Sequence, residues 1–200
     1  MTQPIYLCRH AEYDNPISQK LTGIGILEAK ALGRFLARQV SNPIFITSSH
    51  ERTLRTAGIV ADVLGVRLAK DNLYSFDDLC ETRVRELEQM CDERITSEKL
   101  KEFPSTEDVA KIMTARFQEV GDSHPVKPLV AILHGNINAA FLYEGHNKEA
   151  CWFEYQMSYC DAWRMEREGA KIIPMAHTPN IEMDPSAPRP GPDSKIRRLG

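Results

Sequence analysis

The sequence predicts an α/β protein: a three-layer α/β/α sandwich with a mostly parallel central sheet and a helical cap insertion. Three observations lead there. Short apolar runs alternate with amphipathic helical segments from Ile5 to Leu68, a strand-helix-strand-helix-strand order that calls for a parallel sheet with right-handed crossovers. Three of the apolar runs stop abruptly on polar, reactive side chains: Arg9-His10, Ser48 through Arg52, and His134-Gly135. A charge-rich stretch from about Phe76 to Pro125 interrupts the alternation and reads as an insertion over the carboxyl edge of the sheet.

Taken in order, Ile5-Tyr6-Leu7-Cys8 is a short buried strand ending on Arg9 and His10. A loop follows from Tyr13 to Lys20, with Asn15-Pro16 as its turn signal. Thr22 is an N-cap candidate for a helix whose apolar positions Leu27, Ala31 and Phe35 recur beside Leu32 and Leu36, and which Asn42-Pro43 ends. Ile44 to Thr47 is the second strand. A second helix runs from about Glu51, with Leu54, Ala57, Ala61 and Leu64 on one face and Gly65 as its C-terminal stop. Val66-Arg67-Leu68 reads as a third strand. Within the insertion, Ser105 to Asp108 is a capping signal for a helix with Val109, Ile112, Met113, Phe117 and Val120 as its stripe. Pro128 to Leu133 is the clearest buried strand, and a helix follows His134 through Tyr143. Tyr159 to Arg164 and Lys171 to Met175 read as two strands joined by a turn at Gly169. The domain is expected to span 1–177. The tail 178–200 holds five prolines and is expected to be extended unless docked on a partner.

Composition narrows the class. Of 200 residues, 42% are hydrophobic and 26% charged, ordinary for a soluble globular chain. A net charge of -3 argues against a nucleic-acid partner. No apolar run approaches the roughly 18 residues of a membrane span. Met1 to Pro4 lead straight into a strand, so a cytoplasmic location is expected. Five cysteines without a Cys-x-x-Cys pair fit reduced thiols better than disulfides or a zinc site. Neither a metal nor a cofactor is expected.

If the three polar strand ends share one edge, two imidazoles and two guanidiniums converge there. Ligands of open α/β sheets bind at the carboxyl ends of the strands. An arginine fork suits phosphate oxygens, and helix N-termini near Glu51 and Asn136 offer backbone N–H donors to an anion. No glycine-rich P-loop is present, so a nucleotide cradle of that kind is excluded.

These residues also carry a family resemblance. Leu7-Cys8-Arg9-His10-Ala11-Glu12 resembles the Arg-His-Gly signature of the histidine phosphatase (phosphoglycerate mutase-like) superfamily, branch 1. Leu21-Thr22-x-x-Gly25-x-x-Glu28-Ala29-x-x-Leu32-Gly33 is similar to that family's Leu-Thr-x-x-Gly-x-x-Gln-Ala segment. Ser48-x-x-x-Arg52-Thr53-x-x-Thr56-Ala57 resembles its second-arginine motif, and Ile132-Leu133-His134-Gly135 its second-histidine motif. Trp163 through His177 looks like its closing hairpin. The resemblance implies a phosphatase acting on a phosphorylated small molecule or phosphoprotein. His10 would be the nucleophile, and Arg9, Arg52 and His134 would hold the phosphoryl oxygens. The Leu79-Cys80-Glu81 pattern makes Glu81 the acid, with Asp77 and Asp78 as nearby substitutes. Asn15 and His50 are candidate substrate contacts. Ala11 stands where the family has glycine, so the backbone is expected to approach phosphate less closely there. A short loop between Ala11 and Leu21 fits a phosphatase better than a mutase. The alternatives are a phosphoglycerate mutase-type phosphomutase and a catalytically weak module that binds a phosphorylated partner. The cluster Trp152, Phe153, Tyr155 and Tyr159 reads as core or interface aromatics, which together with the tail permits a homodimer.

Overall fold

The computed structural model describes residues 2–76, 105–145 and 157–178. Strand β1 (Gln3–Arg9) leads to helix α1 (Gly23–Ala37), strand β2 (Ile44–Thr47), helix α2 (Glu51–Leu64) and the short strand β3 (Leu73–Ser75). Helix α3 (Ser105–Ser123), strand β4 (Leu129–Leu133) and helix α4 (Gly135–Gly145) follow. The hairpin β5 (Ala162–Glu168) and β6 (Lys171–Thr178) comes last. The six strands form one sheet in the order β3-β2-β4-β1-β5-β6. The first four are mutually parallel, and β5 and β6 add antiparallel.

The two faces of the sheet follow directly from the period-two alternation of its side chains. Ile5, Leu7, Ile44, Ile46, Leu129, Ala131 and Leu133 point to one face, where Val109, Met113, Phe117 and Val120 of α3 and Ile137, Ala140 and Phe141 of α4 cover them. Tyr6, Cys8, Phe45, Val130 and Ile132 point to the other, against Ala29, Leu32 and Leu36 of α1 and Ala57, Val60 and Ala61 of α2. All of β2 and β4, and β1 from Ile5 to Cys8, is thus buried on both sides. This explains why these strands read as unbroken apolar runs, and each large side chain buried in them contributes about 1.5–3 kcal/mol.

The local signals at helix ends behave as expected. The Thr22 hydroxyl accepts from the Gly25 amide at 3.0 Å. Gly65 ends α2 with φ +68°. The β5–β6 hairpin turns on Gly169 at φ +60°, as a two-residue loop requires.

Four expectations change. The third strand is not Val66–Leu68 but Leu73–Ser75. Val66 and Leu68 only tuck beside the end of α2, and Asn72 ties the intervening loop, its amide donating to Arg67 O at 2.9 Å while its carbonyl accepts from Ala69 N at 2.7 Å. Pairing with β2 begins only at Leu73, opposite Phe45. Leu27 and Leu54 were placed on buried faces and are instead 40% and 39% exposed. Small residues such as Ala29 and Ala57 make the α1–α2–sheet contact in their stead. Of the stretch read as a cap, Ser105–Ser123 is a layer helix packed on the sheet. The strands of the hairpin run later than expected, β5 from Ala162 to Glu168 and β6 on to Thr178. Residues 77–104, 146–156 and 179–200, including most of the expected cap and tail, lie outside the described residues. No helix among the described residues is long and apolar enough to cross a membrane.

One glycine locks the first helix to the site loop. A Cβ on Gly25 would sit 2.0 Å from the carbonyl oxygen of Glu12. That backbone is also held by Thr22 N to Glu12 O at 3.2 Å and by Glu12 N to Glu28 Oε2 at 2.7 Å. Gly25→Ala is therefore expected to lower unfolding stability by about 1–3 kcal/mol, measured by urea titration. The helix can shift only by moving the residues next to His10.

Candidate active site

Strands β1, β2 and β4 end at the same level: Arg9 pairs with Leu133, and Thr47 with Ile132. His10, Ser48 and His134 are the residues that follow, and all three are buried. The helices α2 and α4 begin at once, after the N-cap His50 and at Gly135. The convergence expected from the sequence is present for Arg9, His10, Arg52 and His134.

His10 is 3% exposed. Its Nδ1 lies 2.8 Å from the carbonyl oxygen of Ala11. A carbonyl only accepts, so Nδ1 carries the proton and a neutral ring leaves its lone pair on Nε2. Burial lowers the His10 pKa well below its ordinary value, and the Arg9 and Arg52 guanidiniums push in the same direction. His134 stands across from it, ring centroids 5.4 Å apart. Its pKa is also lowered well below the ordinary value, by burial first and then by His10 and Arg52. Arg52 Nη2 donates to His134 Nδ1 at 3.1 Å, so His134 carries its proton on Nε2 and donates it to Ser48 Oγ at 2.9 Å. Ser48 in turn meets Thr53 Oγ1 at 2.8 Å, and Thr53 is bound back to the carbonyls of Ser48 and His50.

The two guanidiniums are each set against a tyrosine. Arg9 Cζ lies 4.1 Å from the Tyr159 ring centroid and Arg52 Cζ 4.8 Å from that of Tyr13. The same two rings flank His10, at 5.3 Å for Tyr13 and 5.7 Å for Tyr159. Arg9 Nη1 donates to Met157 O at 2.6 Å. Gly135 makes room for this side chain, since a Cβ there would come within 3.0 Å of Arg9 Nε.

His50 is half-buried and brings its ring to 4.9 Å from His134, so it joins the cluster. Asn15 does not share this environment. It is exposed, and its carbonyl oxygen accepts from the Ile17 and Ser18 amides at 3.0 and 2.9 Å, bracing its own loop. Glu81, Asp77 and Asp78 lie outside the described residues. Tyr13 and Tyr159 also belong to this cluster; the sequence reads Tyr159 as a core or interface aromatic, and only its place just ahead of β5 marks it otherwise. Ala11 is fully buried, with its methyl among Ala29, Ala57 and their neighbours on the α1–α2 side. Its amide donates to Thr56 Oγ1 at 3.1 Å. The methyl therefore packs in the core. Cys8 and Cys160 are buried free thiols. Among the described residues, no group of His, Cys, Asp or Glu could hold a metal ion.

Residues 5–173 match the family model of the histidine phosphatase superfamily (branch 1), and the chain belongs to that family. No curated protein matches the sequence. Solved structures share the fold. Bacillus stearothermophilus YhfR is 21% identical with a TM-score of 0.66, over 90% of this chain and 100% of that one. A phosphoglycerate mutase from Bacillus anthracis str. Sterne is 11% identical with a TM-score of 0.62, over 88% and 92%. A mycobacterial glucosyl-3-phosphoglycerate phosphatase complexed with VO3 is 16% identical with a TM-score of 0.62, over 86% and 96%.

Two predictions follow from these environments. Both buried histidines resist protonation, so the unfolded chain takes up protons at a higher pH than the folded one. Their contribution to stability is intact above their ordinary value of 6.5 and is lost as the pH falls below it toward the lowered folded values. The urea midpoint is expected to drop between about pH 7.5 and pH 5.5, and to drop less in a His10→Ala, His134→Ala variant. For Ala11→Gly, loss of a buried methyl is expected to lower unfolding stability by about 1 kcal/mol, measured by urea titration.

Proposed function

We propose that this protein hydrolyses a phosphomonoester, on a small molecule or a phosphorylated protein side chain, through a phosphohistidine on His10, with no metal ion. The observation that carries this reading is the His10 Nδ1 held 2.8 Å from the Ala11 carbonyl, which leaves the lone pair of a neutral ring on Nε2, in the field of the Arg9 and Arg52 guanidiniums that disfavour its protonation. Imidazole attacks phosphorus only through a lone pair, and guanidiniums are the groups that hold phosphoryl oxygens.

In the first step, Nε2 of His10 forms a bond to phosphorus as the bond to the ester oxygen breaks in line. Arg9, Arg52 and His134 hold the equatorial oxygens and offset the charge on them. For His134 to donate from Nδ1, Arg52 Nη2 turns from that nitrogen to a phosphoryl oxygen and the ring takes a second proton from solvent, which an arriving dianion favours, while Ser48 keeps the Nε2–H. A carboxyl group protonates the leaving oxygen, and Glu81 is assigned that role by the family resemblance. In the second step a water oxygen attacks phosphorus, the carboxylate takes the water's proton, and the P–N bond breaks. Phosphate leaves and His10 returns to its neutral state.

The test is hydrolysis of a generic aryl phosphate by wild type and His10→Ala in the presence of EDTA. The expected result is activity that survives EDTA in the wild type and falls by at least about 10³-fold in the variant. Equal rates in the two proteins would sink the mechanism. Turnover that requires an added bisphosphate and moves phosphate between positions of one substrate would replace hydrolysis with mutase chemistry.

A further inference from the structure

Five consecutive residues, Met157 to Asp161, grip Arg9 from three sides. The Met157 carbonyl accepts from Arg9 Nη1 at 2.6 Å, the Asp161 carbonyl accepts from the Arg9 amide at 3.2 Å, and the Tyr159 ring lies 4.1 Å from the guanidinium carbon. The segment is itself tightly anchored. Asp161, 2% exposed, accepts the Ser158 amide on Oδ2 at 2.7 Å, and its own amide donates to Ser158 O at 3.1 Å. Between them Cys160 sits at φ +57°, in the left-handed region that a side chain rarely adopts unless its surroundings hold it there. Asn138 ties the segment to β1, donating to Cys8 O at 3.0 Å and meeting Met157 Sδ at 3.4 Å. This turn thus aims one ring at one guanidinium.

The choice of an aromatic ring has a chemical consequence. A carboxylate at the same place would hold Arg9 equally well but would cancel the charge a phosphoryl group needs. The face of a tyrosine attracts a guanidinium through its quadrupole and leaves the full positive charge in place. Among the described residues, no carboxylate pairs with Arg9. Its Nε–H is buried with no hydrogen-bond partner among them, whereas buried donors normally find one.

We propose that Tyr159 is a positioning residue for phosphoryl transfer: presented by the Ser158–Asp161 turn, its ring holds the Arg9 fork in register with the phosphoryl oxygens without neutralising it. The proposal rests on the phosphatase reading above.

The experiment measures orthovanadate affinity and aryl phosphate kinetics for wild type, Tyr159→Phe, Tyr159→Leu and Tyr159→Met, with thermal unfolding as the check on folding. Methionine keeps much of the side-chain volume without an aromatic face, so it serves where leucine perturbs the fold. Tyr159→Leu and Tyr159→Met are expected to weaken vanadate binding about tenfold and to raise KM more than they lower kcat, while Tyr159→Phe binds vanadate within about twofold of wild type. In an Arg9→Gln background, Tyr159→Leu is expected to add no further loss, because its effect passes through the guanidinium. Unchanged vanadate affinity in the leucine and methionine variants would overturn the proposal. So would a phenylalanine variant as weak as leucine, or the same factor lost with Arg9 already removed. If the wild type binds vanadate and turns over the ester while these variants match it, the proposal alone falls. A wild type that does neither overturns the phosphatase reading and this proposal together.

Discussion

Everything at this site depends on one hydrogen bond, from His10 Nδ1–H to the carbonyl of the next residue, Ala11, at 2.8 Å. It decides which nitrogen of the neutral ring keeps the lone pair. It also requires the backbone to turn sharply after β1, so that a strand buried on both faces delivers an imidazole at its end rather than another core side chain. The turn is stabilised from behind. Ala11 N–H is taken by Thr56 and the Ala11 methyl is packed between the sheet and helices α1 and α2. A neutral ring can stay buried beside two guanidiniums. A charged one would be repelled by both, so burial and repulsion keep the lone pair ready.

The rest of the fold brings two guanidiniums to the neighbourhood of that ring. Parallel pairing of β1, β4 and β2 sets three strand ends level, and short connections start helices immediately beyond them. Arg52 rides on the first turn of α2 at 3% exposure, where an unpartnered guanidinium would be strongly unfavourable. Its hydrogen bond to His134 and its contact with Tyr13 offset part of that cost. Arg9 is treated the same way by Met157 O and Tyr159. Among the described residues, carbonyl, imidazole and ring groups meet the two guanidiniums.

The sequence revealed the parts of this that are local. The buried strands β1, β2 and β4 were legible because each carries an apolar run, Ile5 to Cys8, Ile44 to Ile46 and Leu129 to Leu133, and the Thr22 cap and Gly169 turn because each needs a specific residue type. The convergence of Arg9, His10, Arg52 and His134 was legible because each ends a strand, directly follows one or sits in the next helix's first turn. The third strand was misplaced because Val66-x-Leu68 alternates as a strand would, while its real use is to cover the end of α2. Leu27 and Leu54 misled because close packing of α1 against α2 selects small side chains, not large ones. Tyr13 and Tyr159 were not legible, since their value comes from facing Arg52 and Arg9 across the fold. Ala11 looked like a defect in a motif. Only its packing shows that the side chain points into the core.

The measurement that tests the central claim most directly is to stop the reaction during turnover under alkaline conditions, which preserve a phosphoramidate, and locate the phosphoryl group by phosphorus NMR and tandem mass spectrometry. The account predicts a phosphorylated His10 with phosphorus on Nε2, because Nδ1 is bonded to the Ala11 carbonyl. Phosphorus on Nδ1, on another residue, or on no residue while hydrolysis proceeds would contradict it.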